Sequence, residues 1–149
     1  MLREQGAELL LHLGDVGTVE VIDELVPDPD AGGHAAARLV FGNTDWDMDN
    51  LGRYAESLGV SNDHPVGTLA LPDGGELVFM HGDDEAAMVQ ALTRQVRYLC
   101  HGHTHRASDQ RRGKTRIINP GALFRAREYT VAVLDTHADA LAFYPVPEG

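Results

Sequence analysis

Four short apolar runs in this chain each end in glycine beside a side chain able to bind a metal, and that recurrence restricts the fold more than any other feature. The runs are Ala7-Glu8-Leu9-Leu10-Leu11-His12-Leu13 before Gly14-Asp15, and Ala37-Arg38-Leu39-Val40-Phe41 before Gly42-Asn43-Thr44-Asp45. Leu77-Val78-Phe79-Met80 leads into His81-Gly82, and Tyr98-Leu99-Cys100 into His101-Gly102-His103-Thr104-His105-Arg106. Near-continuous apolar runs of this length read as strands buried on both faces. The polar residues then fall at strand carboxyl ends, where α/β proteins place their chemistry.

The intervening stretches supply the rest of an α/β pattern. Thr18 is the better helix cap before a helix over residues 19–25, which leaves Asp15 free for another role. Leu51, Tyr54, Ala55 and Leu58 give residues 49–59 helical spacing, closed by Gly59. Residues 67–71 and 76–80 flank Pro72-Asp73-Gly74-Gly75, a hairpin signal, and 83–95 reads as a helix with acidic Asp83, Asp84 and Glu85 at its start. A tight turn at Arg111-Arg112-Gly113-Lys114 leads into a strand over 115–118 that ends in Asn119-Pro120-Gly121-Ala122, followed by two paired strands over 129–135 and 140–146. Residues 27–34 form a loop by composition, and His12 reads as a core histidine. Met1 to Gln5 followed by Gly6 reads as the last turn of a helix, so an upstream strand and helix are expected to be missing from this chain.

With 149 residues the chain is expected to be a single domain, 1–149. Twelve basic against 23 acidic residues give a net charge of −11 with no basic block, which disfavours tight nucleic-acid binding. A pair of divalent cations would reverse that sign locally. The single Cys100 lies in an apolar run and fits a buried thiol in a reducing compartment. No signal peptide, lipidation motif or membrane-spanning run is present, so the cytoplasm is the expected location.

Histidines at positions n and n+2 of a strand-end loop, His103 and His105, can aim two imidazoles at one point, with Gly102 allowing close approach. Carboxylate, amide oxygen and imidazole together suit manganese, iron or zinc better than calcium or thiolate-bound copper. The task such a cluster performs is hydrolysis, since a metal lowers the pKa of water and a metal pair clamps phosphoryl oxygens. The motifs Gly14-Asp15, Gly42-Asn43-Thr44-Asp45, His81-Gly82, Gly102-His103-Thr104-His105-Arg106 and Asn119-Pro120-Gly121 resemble, in order and spacing, those of the calcineurin-like metallophosphoesterases. The nearest likeness is to their small single-domain bacterial and archaeal phosphodiesterases.

The resemblance implies a four-layer α/β/β/α sandwich of two mixed β-sheets with a two-metal centre between the strand ends. Asp15 would bridge both metals, Asn43, His81 and His103 would complete one site, and His105 would belong to the other. Manganese is the first expectation, with iron, zinc or nickel as alternatives. Asn43 and Arg106 would hold the phosphoryl oxygens of a small phosphoester, most readily a diester. Asp45 has two readings, a group that orients water or passes a proton and a turn stabiliser. Relatives open with a strand ending Asp-x-His, which nothing before Asp15 supplies, and Thr44 stands where many carry a leaving-group histidine. This chain alone is therefore expected to hold one metal, and the unpaired edge of its first strand invites self-association. The reading from another class is a protein-binding scaffold of the same fold, which an exposed apolar patch beside the site would favour.

Overall fold

Three separate apolar clusters set the layering of the protein. The computed structural model describes residues 1–27 and 36–148. Strand β1 (Leu9–Leu13) is followed by helix α1 (Val19–Leu25), strand β2 (Ala36–Val40), helix α2 (Met48–Ser57) and the short strand β3 (Ser61–Asn62). Strands β4 (Val66–Ala70) and β5 (Glu76–Met80), helix α3 (Glu85–Thr93), and strands β6 (Tyr98–Cys100), β7 (Ser108–Arg112), β8 (Thr115–Asn119), β9 (Thr130–Asp135) and β10 (Ala140–Pro145) complete the order. A parallel sheet runs β1-β2-β3, a mixed sheet runs β4-β5-β6-β8-β7, and β9 pairs with β10 in a separate antiparallel hairpin.

The period-two alternation of the strands divides the cores. Leu10, Ala37 and Leu39 face Ile22 of α1 and Leu51 and Ala55 of α2. Val40, Leu77, Phe79, Tyr98, Cys100 and Ile118 fill the space between the two large sheets, where Leu134 and Leu141 of the hairpin also pack. Val78, Met80 and Leu99 turn the other way, onto Ala91 of α3. Helices, sheet, sheet and helix in that succession make the α/β/β/α sandwich.

Several elements differ from the sequence expectation for clear reasons. Strand β1 was expected to be buried on both faces, yet among its residues only Leu10 is buried, because among the described residues β1 has β2 as its one strand neighbour. Thr18 stands at the N-cap position of α1 without a side-chain cap bond, whereas Asp84 caps α3 by accepting from the Ala87 N–H at 3.1 Å. Strand β7, Ser-Asp-Gln-Arg-Arg, carries no apolar alternation and is an edge strand formed by pairing with β8. Met1 to Gly6 contains a single 3-10 turn, Arg3–Gln5, closed by Gly6 at φ +81°, and Arg3 reaches across to the carbonyls of Leu25 and Val26 at the end of α1. Apart from Pro27, the loop read over 27–34 lies outside the described residues. No helix is long and apolar enough to cross a membrane among the described residues.

Parallel pairing is what makes the site. Strands β1 and β2 run in one direction, and β5, β6 and β8 are parallel to one another, so within each sheet the carboxyl ends share an edge. A bond from His81, just beyond β5, to the Leu13 carbonyl at the end of β1 ties those two edges together.

Candidate metal centre

Each strand end bends sharply before presenting its side chain. Of the six non-glycine residues with positive φ among the described residues, Asp15, His103, His105 and Arg125 all belong to this region. Non-glycine residues enter that left-handed region at a cost, and such strain collects at functional sites. The turns are also crowded. A Cβ on Gly42 would stand 2.6 Å from the Asp15 nitrogen and 2.8 Å from His81 Cε1, so glycine is what lets these two strand ends meet.

His81 is the centre of the arrangement and is buried. Its Nδ1 lies 2.8 Å from the Leu13 carbonyl. A carbonyl can only accept, so Nδ1 carries a proton, and in the neutral imidazole Nε2 presents a lone pair. Facing that lone pair are Asn43 Oδ1 at 2.9 Å, His103 Nδ1 at 3.2 Å and Asp15 Oδ2 at 3.6 Å. Oxygen lone pairs set against a nitrogen lone pair repel unless a cation lies among them. Two ligands each about 2.1 Å from one cation and at right angles stand about 3.0 Å apart, so the two shorter spacings match edges of a coordination shell. His, Cys, Asp and Glu side chains alone form no group of three or more suited to a cation among the described residues. The convergence is on His81 Nε2 and includes the Asn43 amide.

Asp15 is held ready by a residue that sequence reasoning did not assign. Thr44 donates to Asp15 Oδ1 from its hydroxyl at 2.7 Å and from its backbone N–H at 3.2 Å. Burial pushes the Asp15 carboxyl up, but these two bonds, with His81 and His105 nearby, outweigh it and hold the group below the ordinary carboxylate range. Oδ2 is left to face His81. His105 donates from Nδ1 to the Arg125 carbonyl at 3.3 Å, which in the neutral imidazole places the lone pair on Nε2 in the same way. It is close enough to Asp15 to act on its charge but is not among the groups around His81 Nε2.

Asp45 does not face the cluster. Its buried carboxylate accepts from the N–H groups of Val16 at 3.0 Å, Gly17 at 2.8 Å and Gly42 at 2.9 Å, so both oxygens join the loops that carry Asp15 and Asn43. Asn119, fully buried at the end of β8, donates to the Gly102 carbonyl at 3.1 Å and to Thr104 Oγ1 at 2.9 Å, which fixes the His103 and His105 loop. The sequence marked Asn119 as part of a matching motif but assigned it no role, because its work depends on a loop 15 residues away. His12 is half-buried, with burial pushing its imidazole down against the opposing influence of Asp45 and Asp15, and its Nδ1 accepts from the Gly14 N–H. His101 donates from Nδ1 to the Gly102 carbonyl at 3.1 Å and takes no part in the convergence. Arg106 is exposed one residue beyond His105.

Residues 1–139 match the family model described as the calcineurin-like phosphoesterase superfamily domain. No curated protein matches the chain. Among solved structures, a novel archaeal phosphodiesterase is similar with a TM-score of 0.83 at 19% identity, covering 97% of this chain and 87% of its own. Yfce, a phosphoesterase from E. coli, is similar with a TM-score of 0.63 at 20% identity, covering 98% and 88%. Wild-type Vps29 from Entamoeba histolytica, complexed with zinc, is similar with a TM-score of 0.50 at 16% identity, covering 92% and 89%.

Proposed function

The chain belongs to the calcineurin-like phosphoesterase superfamily, and from that membership we propose that it is a divalent-metal-dependent phosphodiesterase acting on a small phosphoester. The observation that carries this reading is the set of lone pairs of Asn43 and Asp15, with His103, around the unprotonated Nε2 of His81.

Asp15, Asn43, His81 and His103 would hold one cation, and Asp15 with His105 would contribute to a second. A bound divalent cation supplies a lowered pKa for water and positive charge for phosphoryl oxygens. The protein's own groups do the remainder. Leu13 selects one neutral tautomer of His81, the one whose lone pair is on Nε2. Asn43 and His103 are exposed, which leaves the cluster open to an incoming phosphoester. Asn43 also presents an amide to the phosphoryl oxygens, and Arg106 supplies an exposed cation on the neighbouring loop. Asp45 acts as a positioning residue, since both its oxygens bind backbone. Manganese suits this donor set, and the similar Vps29 from Entamoeba histolytica is complexed with zinc, which supports a borderline divalent metal here.

Purified protein supplied with manganese is expected to hydrolyse bis(p-nitrophenyl) phosphate, with activity removed by a chelator and by His81→Ala. A rate indifferent to both would overturn the proposal. A second reading, a protein-binding subunit of the same fold, is favoured by one observation: Trp46, Leu123 and Phe124 are exposed on loops at the site. Metal-dependent turnover of the wild-type chain separates the two.

A further inference from the structure

Positive charge is spread unevenly along this chain. Residues 94–116 hold seven of its 12 basic residues and one of its 23 acidic ones, in a protein of net charge −11. Part of that surplus is paired: Arg111 and Arg116 bind Asp139, Arg116 also binds Asp109, and Arg94 pairs with Glu76. Arg97 and Lys114 have no carboxylate partner among the described residues. The Arg97 guanidinium donates to the Thr136 carbonyl, which leaves its charge uncompensated.

These groups meet in one place. Glu76, Arg94, Gln95, Arg97 and Lys114 line an open depression of about 520 Å³. Three segments distant in sequence close around it, namely the start of β5, the connection from α3 to β6 and the turn between β7 and β8. Backbone bonds fix them to one another, since the Arg97 N–H donates to the Glu76 carbonyl at 2.9 Å and the Arg116 N–H to the Arg97 carbonyl at 3.0 Å. Gln95, at φ +55°, ends α3 and turns its side-chain carbonyl to accept from the Lys114 N–H at 3.4 Å. Glycine at 75 keeps the wall close, because a Cβ there would stand 3.2 Å from the Arg97 Cβ.

The depression lies at the other end of the mixed sheet from the candidate metal ligands. Glu76 opens β5 and His81 follows its last residue, so about 16 Å of extended chain separates the two. Arg94, Arg97 and Lys114 set against Glu76 leave a surplus of two positive charges. Guanidinium and ammonium groups donate their strongest hydrogen bonds to anionic oxygens. The volume falls within the roughly 300–1,000 Å³ of small-ligand sites. A small molecule with two negative charges matches that surplus, whereas a long nucleic acid meets the repulsion of a chain with net charge −11 outside the depression.

We propose that this depression is a second binding site, for a small dianion of phosphate or carboxylate chemistry, separate from the strand-end centre. It does not depend on the phosphoesterase reading.

Protein dialysed against a chelator and then against plain buffer, so that anions have no metal to bind, is titrated with inorganic pyrophosphate, succinate and acetate at matched ionic strength. Calorimetry gives the affinity and backbone amide shifts give the place. Pyrophosphate or succinate is expected to bind about tenfold or more tightly than acetate and to move the amides of Gln95, Arg97 and Lys114. Preference for pyrophosphate assigns the site to phosphate compounds, and preference for succinate assigns it to carboxylates. Lys114→Glu should weaken dianion binding by about tenfold or more, with circular dichroism and hydrolysis of bis(p-nitrophenyl) phosphate unchanged, because Lys114 is exposed and remote from the strand ends. Arg94→Gln, also at an exposed position, gives a second variant expected to weaken binding in the same direction. Dianion affinity no greater than that of acetate, binding untouched by both substitutions, or shifts confined to the amides around His81 and His103 would each overturn the proposal. So would a single-stranded oligonucleotide that binds this face more tightly than either dianion. Dianion binding in protein that hydrolyses no phosphoester supports this site and removes the catalytic reading alone.

Discussion

Asp45 shows how one buried side chain holds two loops in register. It satisfies three backbone N–H groups, two of them buried, from Val16 and Gly42, and one partly exposed, from Gly17. Asp45→Ala is expected to lower the unfolding free energy by about 2 kcal/mol in a urea titration, since each orphaned buried donor costs on the order of 1 kcal/mol or more. Asp45→Asn, which keeps an acceptor oxygen, should fall between. Gly42 tests the same junction by volume rather than by charge. Its Cβ would be driven against the Asp15 nitrogen and the His81 ring, so Gly42→Ala should weaken manganese binding by about tenfold or more in calorimetry. Cys100 needs no partner to stay inert. Burial pushes its thiol up to about 12, so a thiol reagent is expected to label the protein only after unfolding.

The β9–β10 hairpin is attached to the mixed sheet by a charged contact at its tip as well as by Leu134 and Leu141 in the core. Asp139 accepts from the Tyr98 hydroxyl at 2.6 Å and pairs with Arg111 at 2.5 Å and Arg116 at 3.0 Å. The Tyr98 bond and the two arginines hold the Asp139 carboxyl well below its ordinary value of 3.8. A carboxyl depressed in the folded state stabilises the fold above its unfolded value, and that contribution is lost as pH falls toward the folded one. Urea midpoints measured from about pH 6 down to about pH 3 should therefore decline more steeply for the wild type than for Asp139→Asn. An identical acid limb for both proteins would show that the hairpin does not depend on this contact.

Across the molecule, stability is expected to be uneven, because among the described residues β1 has a single strand partner while β5, β6 and β8 lie inside the mixed sheet. Hydrogen exchange should be fast at the outward-facing amides of β1 and slowest in β5 and β6. The same contrast explains what was legible before any coordinates. Strand β5 and helix α3 could be read because apolar runs and spacing are local, and the sandwich followed from a resemblance borne by five short motifs. Strand β7 could not be read, because Ser108 to Arg112 is polar and is a strand only by pairing with β8. Likewise the sequence named Asp15, Asn43, His81, His103 and His105 as ligand-type residues at strand ends, since residue type and order are written in it. It could not tell that His81 points its unprotonated nitrogen at the first two and at His103, that Thr44 holds Asp15, or that Asp45 turns to backbone instead. Those depend on the Leu13 carbonyl, the Gly42 turn and the Asn119 side chain meeting across 15 to 68 residues of chain. The chain's chemistry was determined by which side chains it carries at its strand ends; their protonation and aim were decided only when parallel strands from two sheets brought those ends to one edge.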